Sequence, residues 1–235
     1  MSFAPVPPKS TLLARILVRF AVVLILLGVI FFVPAGTLQY WQAWVYLAIL
    51  AFPSFTIYLY FLKHDPELVE RRLRGGERES RQKWIMYGSA PVFLAIFLLL
   101  GFDHRFGWSR VWPGSEPLWL ILVSQAVALS GMLMTGWAVN ANRYAARTIR
   151  VEEGQKVISS GPYRFVRHPM YTGMLLLGLS TPLALGSPIL LPPFVLIIPF
   201  LAFRLLNEEK LLRAQLPGYT EYCLKTRYRL IPFVW

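Results

Sequence analysis

Long apolar stretches recur along the chain, and each is close to the length of about 20 residues that a helix needs to cross the hydrocarbon core of a membrane. Four of them precede residue 140, at 16–35, 41–62, 84–102 and 117–139. Of the 235 residues, 56% are hydrophobic and only 15% are charged, whereas soluble domains carry about 25% charged residues. The sequence therefore excludes a soluble or disordered protein and predicts an all-α integral membrane fold.

A further apolar block at 170–206 is long enough for two helices, and the turn-forming residues 186–188 (GSP) interrupt it. The block predicts a tight helical hairpin with arms at 170–185 and 189–206, of which the first is short for a full crossing. We expect the second helix to continue beyond the membrane as far as 217–218 (PG). The expected total is about six transmembrane helices.

The basic residues divide unequally between the two sides of these spans. Of the 24 lysines and arginines, 22 lie in four segments on one side: 1–19, 63–83, 140–167 and 204–235. The opposite loops contain only Arg105 and Arg110. Because cytoplasmic loops carry the excess of lysine and arginine, we expect both termini to be cytoplasmic and the number of crossings to be even. The net charge of +12 therefore indicates topology and an affinity for anionic lipids, and no nucleic-acid-binding module is recognisable.

We expect a single membrane domain over residues 1–235. Residues 1–139 contain the four N-terminal spans, and residues 140–235 contain a connector, the hairpin and a cytoplasmic C-terminal segment. Cys223 is the only cysteine, and the three histidines are well separated. An intramolecular disulfide is therefore impossible, and no metal site is expected.

Two polar clusters border the hairpin, and we expect chemistry where polar groups crowd a helix end. The first is 161–173 (GPYRFVRHPMYTG), in which His168 lies among arginines and tyrosines and precedes a proline suited to the first turn of a helix. The second contains Arg204 and Glu208, which share one helix face, followed by Glu209. A simpler interpretation is also available: interfacial anchors in the first cluster and an ordinary ion pair in the second. The aromatic and basic tail after Tyr219 suggests a lid or an interfacial segment.

These clusters, in this order, resemble the isoprenylcysteine carboxyl methyltransferase family, part of a wider group that includes bacterial phospholipid methyltransferases. The resemblance rests on 161–173 with its RHPxYxG core, on Arg204 and the pair at 208–209, and on the tail through Pro232 and Phe233. It is strong over 140–235. Before that region, 64–73 (HDPELVERRL) is similar to bacterial members.

The resemblance implies S-adenosyl-L-methionine as the cofactor, held at the cytoplasmic face without a Rossmann domain. The implied pocket is enclosed by the connector, the RHP segment and the C-terminal helix. The implied substrate-side and catalytic residue is Arg204, and Glu208 would be both catalytic and cofactor-binding. The implied cofactor contacts are Gln155, Lys156, Val157, Ile158, Tyr163, His168, Pro169, Met170, Tyr171 and Glu208, with Arg150 a weaker candidate.

The chemistry implied is SN2 transfer of a methyl group to a lipophilic acceptor that enters from the bilayer, with no metal required. Arg204 would orient a carboxylate acceptor, whereas Glu208, Glu209 or water would take the proton of an amine. An NADPH-dependent reductase of the sterol reductase type is the enzymatic alternative, because such reductases share the RHP segment. Its cofactor phosphate would need a clamp of basic residues, which Arg164, Arg167, Arg227 and Arg229 could supply. A non-catalytic lipid-binding protein is the second alternative.

Overall fold

The computed structural model describes residues 7–74, 80–110, 117–142, 144 and 154–235, and every regular element among them is a helix. The α-helices are α1 (Lys9–Ala35), α2 (Trp41–His64), α3 (Pro66–Arg74), α4 (Ser80–Phe106), α5 (Leu118–Ala141), α6 (Pro169–Ala184), α7 (Leu191–Phe194), α8 (Ile197–Gln215) and α9 (Tyr219–Lys225). Short 3-10 helices lie at Gly161–Arg164 and Pro188–Leu190. The all-α architecture expected from the sequence is confirmed.

Four stretches of the described residues are long and apolar enough to cross a membrane: α1, α2, α5 and Pro188–Gln215, which contains α7 and α8. The helix α4 covers the span expected at 84–102 but is not among these four. The helix α6 has 16 residues, about 24 Å at 1.5 Å per residue, and is shorter than a hydrocarbon core of about 30 Å. The lengths therefore support a multi-pass membrane protein with four candidate spans, and they do not establish six.

The helical hairpin lies where the sequence predicts it. Its turn uses Gly186 at φ 72°, in the left-handed region that favours glycine. The backbone N–H of Ser187 donates to the carbonyl of Pro182 at 2.7 Å and closes the turn. After the turn the chain forms a 3-10 helix and the short α7 before α8, because prolines at 188, 192 and 193 remove backbone donors. The extension of α8 to Gln215 agrees with the expected continuation.

The most extensive helix contact joins α5 to α6, the helix that begins at the RHP segment. Gly131 of α5 lies against Gly173 of α6, so a Cβ atom at position 131 would lie 2.6 Å from the carbonyl oxygen of Gly173. Small residues at such positions let two helix backbones approach closely within a membrane. This contact fixes the RHP segment relative to the N-terminal helices.

The two ends of the helical bundle differ in composition. At the end that we name the turn end, the loops 36–40, 107–110 and 185–188 meet: the Tyr40 hydroxyl donates to the carbonyl of Leu185, and the N–H of Ile189 donates to the Ser109 hydroxyl. At the opposite end, named the cavity end, Lys9 donates to the carbonyl of Lys63. The connector from 154, the RHP segment and the C-terminal tail also lie there. The described parts of the four basic segments therefore share one end.

Candidate functional site

A cavity of about 460 Å³ opens at the cavity end, between α2, α3, α5, the connector, α6, α8 and α9. Ten of the eleven site residues expected from the sequence line it: Gln155, Lys156, Val157, Ile158, Tyr163, His168, Met170, Tyr171, Arg204 and Glu208. Pro169 is buried at the start of α6 and is not part of the lining. Arg150 lies outside the described residues. Residues as far apart in the chain as Gln155 and Glu208 thus meet in one pocket.

The RHP segment forms one wall of the cavity and is held by the C-terminal tail. The backbone N–H groups of Arg167 and His168 donate to the carbonyls of Tyr228 and Arg229 at 2.9 and 3.0 Å. The hydroxyl of Thr172 donates to the carbonyl of Leu230 at 2.8 Å. The bond from His168, the N-cap residue of α6, satisfies a backbone donor at the helix start that would otherwise be unpaired. The tail beyond Tyr222 therefore holds the RHP segment in place without lining the cavity itself.

Glu209 is the centre of a buried charge network that the sequence interpretation did not single out. The residue is 3% exposed, and its carboxylate accepts from Arg167 Nη1 at 2.6 Å and from Arg229 Nε at 3.1 Å. His168 Nε2 lies 3.4 Å from the same carboxylate. Arg167 also donates to the carbonyl of Arg227 at 2.7 Å. The network joins the RHP segment, α8 and the tail. Arg167, an arginine of the first polar cluster, is therefore bound within the protein.

Glu208 faces the cavity although its neighbour Glu209 is buried. Its carboxylate accepts a hydrogen bond from the Tyr171 hydroxyl at 2.7 Å. Arg204, one turn earlier on α8, also hydrogen-bonds this hydroxyl and lines the cavity. The shared helix face expected for Arg204 and Glu208 therefore exists, and Tyr171 joins the two side chains. One acidic and one basic side chain, Glu208 and Arg204, are therefore held side by side at the cavity surface.

Aromatic rings form much of the remaining lining: Tyr58, Tyr163, Tyr171, Tyr219 and Tyr222. Burial raises the pKa of Tyr163 to about 12, so this ring is a neutral phenol at physiological pH. Burial also raises the pKa of Tyr219 and Tyr222. Neutral aromatic faces attract cations through their quadrupoles.

No group of three or more His, Cys, Asp or Glu side chains among the described residues is placed to hold a metal ion. Among the described residues, the cavity lining offers the Glu208 carboxylate, several basic side chains and phenol rings for chemistry. Together with the four apolar spans, this defines an integral, multi-pass helical membrane protein with a ligand-sized cavity at one end of its bundle.

Comparisons with known proteins show what this chain is similar to. The family model described as phospholipid methyltransferase matches residues 119–217. A probable protein-S-isoprenylcysteine O-methyltransferase of Oryza sativa subsp. indica is 28% identical over 200 residues, covering 82% of this chain and 97% of the relative. A solved eukaryotic intramembrane Ras methyltransferase, isoprenylcysteine carboxyl methyltransferase, has a similar fold, with a TM-score of 0.55 and 18% identity over 92% of this chain and 75% of the other.

These matches confirm the resemblance seen in the sequence, to the family of isoprenylcysteine carboxyl methyltransferases and phospholipid methyltransferases. A Delta(14)-sterol reductase of Mus musculus is 34% identical over 92 residues, but the match covers 37% of this chain and 22% of the reductase. The reductase likeness is thus confined to one segment, whereas the rice relative matches along almost its whole length.

Proposed function

We propose that the chain is an S-adenosyl-L-methionine-dependent membrane methyltransferase that transfers a methyl group to a lipophilic acceptor at the cytoplasmic face. The acceptor is an isoprenylcysteine-type carboxylate or a lipid head group. One observation carries the proposal: ten of the eleven residues that the family resemblance assigns to cofactor and acceptor, although dispersed from Gln155 to Glu208, line one cavity. The family and the fold support the same activity.

The cavity suits this methyl donor. Its volume of about 460 Å³ lies within the range of roughly 300–1,000 Å³ that is usual for small-molecule sites. The Glu208 carboxylate and the neutral phenol faces are suitable partners for a sulfonium cation. The residues proposed to hold the donor are Gln155, Lys156, Val157, Ile158, Tyr163, His168, Pro169, Met170, Tyr171 and Glu208. When bound, the donor supplies a methyl group already activated for nucleophilic attack.

The protein's own residues then have mainly to position the acceptor and exclude water. Arg204 donates to an acceptor carboxylate and orients one oxygen toward the methyl group. If the acceptor is an amine, Glu208 takes its proton. Glu209 is unsuited to that role because Arg167 and Arg229 already bind its carboxylate inside the protein.

The test is binding of S-adenosylhomocysteine and NADPH by the purified protein in detergent, followed by transfer of labelled methyl groups to extracted lipids. We expect binding of S-adenosylhomocysteine alone and labelled lipid products that mass spectrometry identifies. NADPH binding without S-adenosylhomocysteine binding would overturn the proposal in favour of the reductase. If the Glu208→Gln, Arg204→Ala and His168→Ala variants stay folded and keep full activity, the site assignment is wrong.

The structure weakens the reductase alternative independently of its partial sequence match. Of the four arginines that could bind its cofactor phosphate, two, Arg167 and Arg229, have guanidinium groups that already contact Glu209. Arg167 is also buried, with its side chain 7% exposed. Releasing it would leave the Glu209 carboxylate buried with one partner fewer, which is costly. The non-catalytic, lipid-binding alternative is addressed by the transfer assay itself.

The proposed topology is a single domain over 1–235 with both termini and the cavity in the cytoplasm. Four candidate spans plus α4 and α6 give the even number of crossings. The start of α1 and the C-terminal tail lie at the same end of the bundle, which supports that number. The excess of basic residues at this end supports its cytoplasmic assignment. Labelling of cysteines introduced at Arg110 and Lys225 with a membrane-impermeant reagent in sealed vesicles would test the orientation.

A further inference from the structure

The C-terminal tail ends in a turn that points apolar side chains away from the protein. Ile231, Phe233 and Val234 are 42%, 88% and 75% exposed. The turn itself is ordered by hydrogen bonds, because the backbone N–H groups of residues 229–231 all donate to the carbonyl oxygen of Trp235, at 2.9, 3.0 and 3.2 Å. Three large apolar side chains are therefore presented outward by a closed turn with satisfied backbone donors.

Phe233 is the most unusual residue of this turn. Its φ of 65° makes it the one non-glycine residue with a positive φ in the part of the chain that the structure describes. Bulky side chains rarely adopt this left-handed conformation. Its ring contacts the ring of Tyr228, with 5.2 Å between centroids, but is otherwise outside the protein. An aromatic residue held in an unfavourable conformation with its ring outward indicates a role beyond packing of the fold.

The tail runs beside the RHP segment, from the cavity end toward the middle of the bundle. Near its beginning, the Tyr222 hydroxyl donates to the carbonyl of Tyr163 at 2.6 Å. Farther along, the carbonyl of Leu230 accepts from the hydroxyl of Thr172, which lies in the first turn of α6. Rising residue numbers in the tail thus follow rising residue numbers from 163 to 172. The turn at 231–234 therefore lies farther from the cavity end than the residues before it.

The packing of Leu230 fixes the depth of this turn. Leu230 is buried against Leu201 and Leu205 of α8, and both leucines belong to the candidate span Pro188–Gln215. Gln215, the last residue of α8, is ten positions beyond Leu205, or about 15 Å along the helix axis. The exposed side chains at 231–234 therefore lie beside the membrane-spanning part of α8, where their surroundings are lipid.

Basic residues precede the apolar turn and lie nearer the cavity end. Lys225 and Arg227 are exposed, and within the described part of the chain neither side chain forms an ion pair. Glu221 is the only acidic residue in 219–235. The tail therefore places free positive charge outside an apolar tip. This order matches a bilayer surface, in which anionic head groups lie outside the acyl chains.

We propose that these five side chains (Lys225, Arg227, Ile231, Phe233 and Val234), named the tail surface, bind the membrane leaflet at the cavity end. The tip at 231–234 inserts among the acyl chains, and the two bases bind phosphates of anionic lipids. The same tail holds the backbone of the RHP segment, so lipid binding stabilises one wall of the cavity. This inference goes beyond the proposed methyl transfer and does not depend on it.

The first test locates the tip relative to the bilayer. Cys223 is buried, so the full chain is labelled with a fluorophore at one introduced cysteine, Val234→Cys or, as the control, Gln215→Cys at the exposed end of α8. Each protein is placed in nanodiscs of phosphatidylcholine and phosphatidylglycerol. We expect nitroxide groups on the lipid acyl chains to quench the label at 234, and aqueous iodide to quench the label at 215 several-fold more strongly. Equal quenching of both labels by iodide would overturn the inference, and it is the result expected of a surface for a soluble protein partner.

The second test measures hydrogen exchange of the backbone amides at 228–235 in nanodiscs with and without phosphatidylglycerol. We expect the anionic lipid to slow exchange by roughly five-fold or more, because one lysine or arginine near an anionic surface changes a binding equilibrium by about that factor. The double variant Lys225→Gln with Arg227→Gln should lose this response, and Arg110→Gln at the turn end should retain it. Equal exchange in both kinds of nanodisc would overturn the role given to the two bases.

Phe233→Asn tests the apolar tip without straining the turn, because asparagine tolerates the left-handed conformation better than phenylalanine. We expect faster exchange at 228–235 in nanodiscs with either lipid composition, and unchanged exchange in detergent-free segments of α5 and α6 measured in the same experiment. Thermal unfolding of the variant confirms that the fold is intact. Unchanged exchange of the tail in Phe233→Asn would show that the ring does not bind the membrane and would overturn the insertion.

Discussion

The turn end and the cavity end both bury polar side chains, but they use them differently. At the turn end, Tyr40 donates to the carbonyl of Leu185, and Gln125 donates to the carbonyl of Ala184. Asp103 accepts from both the N–H and the hydroxyl of Ser109. These polar groups bind nearby protein atoms and stabilise the turns. At the cavity end, the side chains of Arg204 and Glu208 reach a space large enough for a ligand.

The same contrast occurs within a single helical turn at the cavity end. Adjacent helix positions point about 100° apart, so Glu208 and Glu209 face different surroundings. Glu208 lines the cavity, whereas Glu209 is 3% exposed among Arg167, His168 and Arg229. A carboxylate at this end can therefore be structural or functional, and its partners distinguish the two roles. Matched substitutions of a carboxylate that lines the cavity and of buried carboxylates test this distinction.

The largest expected effect is the loss of activity in Glu208→Gln. We expect methyl transfer to fall by about 100-fold or more in kcat/KM, since the side chain positions reacting groups and small displacements have effects of that size. Its Tyr171 contact is lost or weakened, but the cavity position leaves the fold intact. Steady-state transfer of labelled methyl groups measures the effect.

The matched control is Asp103→Asn, which makes the same change in a buried carboxylate at the turn end. We expect it to lower the free energy of unfolding by about 1–2 kcal/mol through its weakened bonds to Ser109, and to leave kcat/KM within about two-fold at temperatures where it is folded. Comparable losses of activity in both variants would show that the two ends do not differ as argued.

The second prediction concerns stability. Glu209→Ala leaves the Arg167 guanidinium buried without its carboxylate partner, and we expect a loss of about 3–5 kcal/mol, as is usual when one member of a buried ion pair is removed. The tail beyond Thr226 should become susceptible to proteases because its bonds to residues 167–168 depend on the same network. Thermal unfolding and limited proteolysis measure both effects. Glu208→Ala should show neither; a destabilisation equal to that of Glu209→Ala would contradict the separation of roles.

The sequence was sufficient for the parts of the structure that depend on local pattern. The apolar stretches located α1, α2, α5 and the hairpin, and residues 186–188 located its turn. The family motifs located ten lining residues of one cavity. The helices and the turn depend on residues that are neighbours in the chain. The cavity residues were located because the sequence motifs resemble those of a known family.

The sequence was not sufficient where roles depend on helix rotation and distant contacts. Arg167 and Arg204 both belong to the polar clusters that border the hairpin, but only the packing of the RHP segment against α8 shows that Arg167 is paired with Glu209. The sequence placed the adjacent pair at 208–209 in a polar cluster, but it did not indicate which of the two carboxylates is buried. The position of Arg72 in the cavity lining depends on how α3 packs against α1 and α2, which no local pattern determines.

A third, smaller effect should appear at alkaline pH and at the cavity end. Burial raises the pKa of Tyr163 from 10.0 to about 12. Between these values the unfolded chain loses the proton and the native chain keeps it, so the free energy of unfolding falls as pH rises above 10. In Tyr163→Phe, the fall in the free energy of unfolding up to pH 12 should be smaller than in the wild type by roughly 2 kcal/mol. Tyr219 and Tyr222 act in the same direction, so the slope of the free energy of unfolding against pH should become shallower in the variant without vanishing. Chemical unfolding at pH 9 to 12 measures this slope. An unchanged slope would contradict the burial argument.

The smallest effect is expected for Tyr40→Phe at the turn end. The hydroxyl of Tyr40 is buried and donates to the carbonyl of Leu185 at 2.7 Å, while its ring stacks on His104 at 3.9 Å between centroids. Phenylalanine keeps the stacking and removes the hydrogen bond, so the free energy of unfolding should fall by about 1 kcal/mol. Activity and S-adenosylhomocysteine affinity should not change, because the hairpin turn lies at the opposite end from the cavity. An activity loss without a stability loss would show that the turn end transmits strain along α6 to the RHP segment, and it would remove the functional division between the two ends.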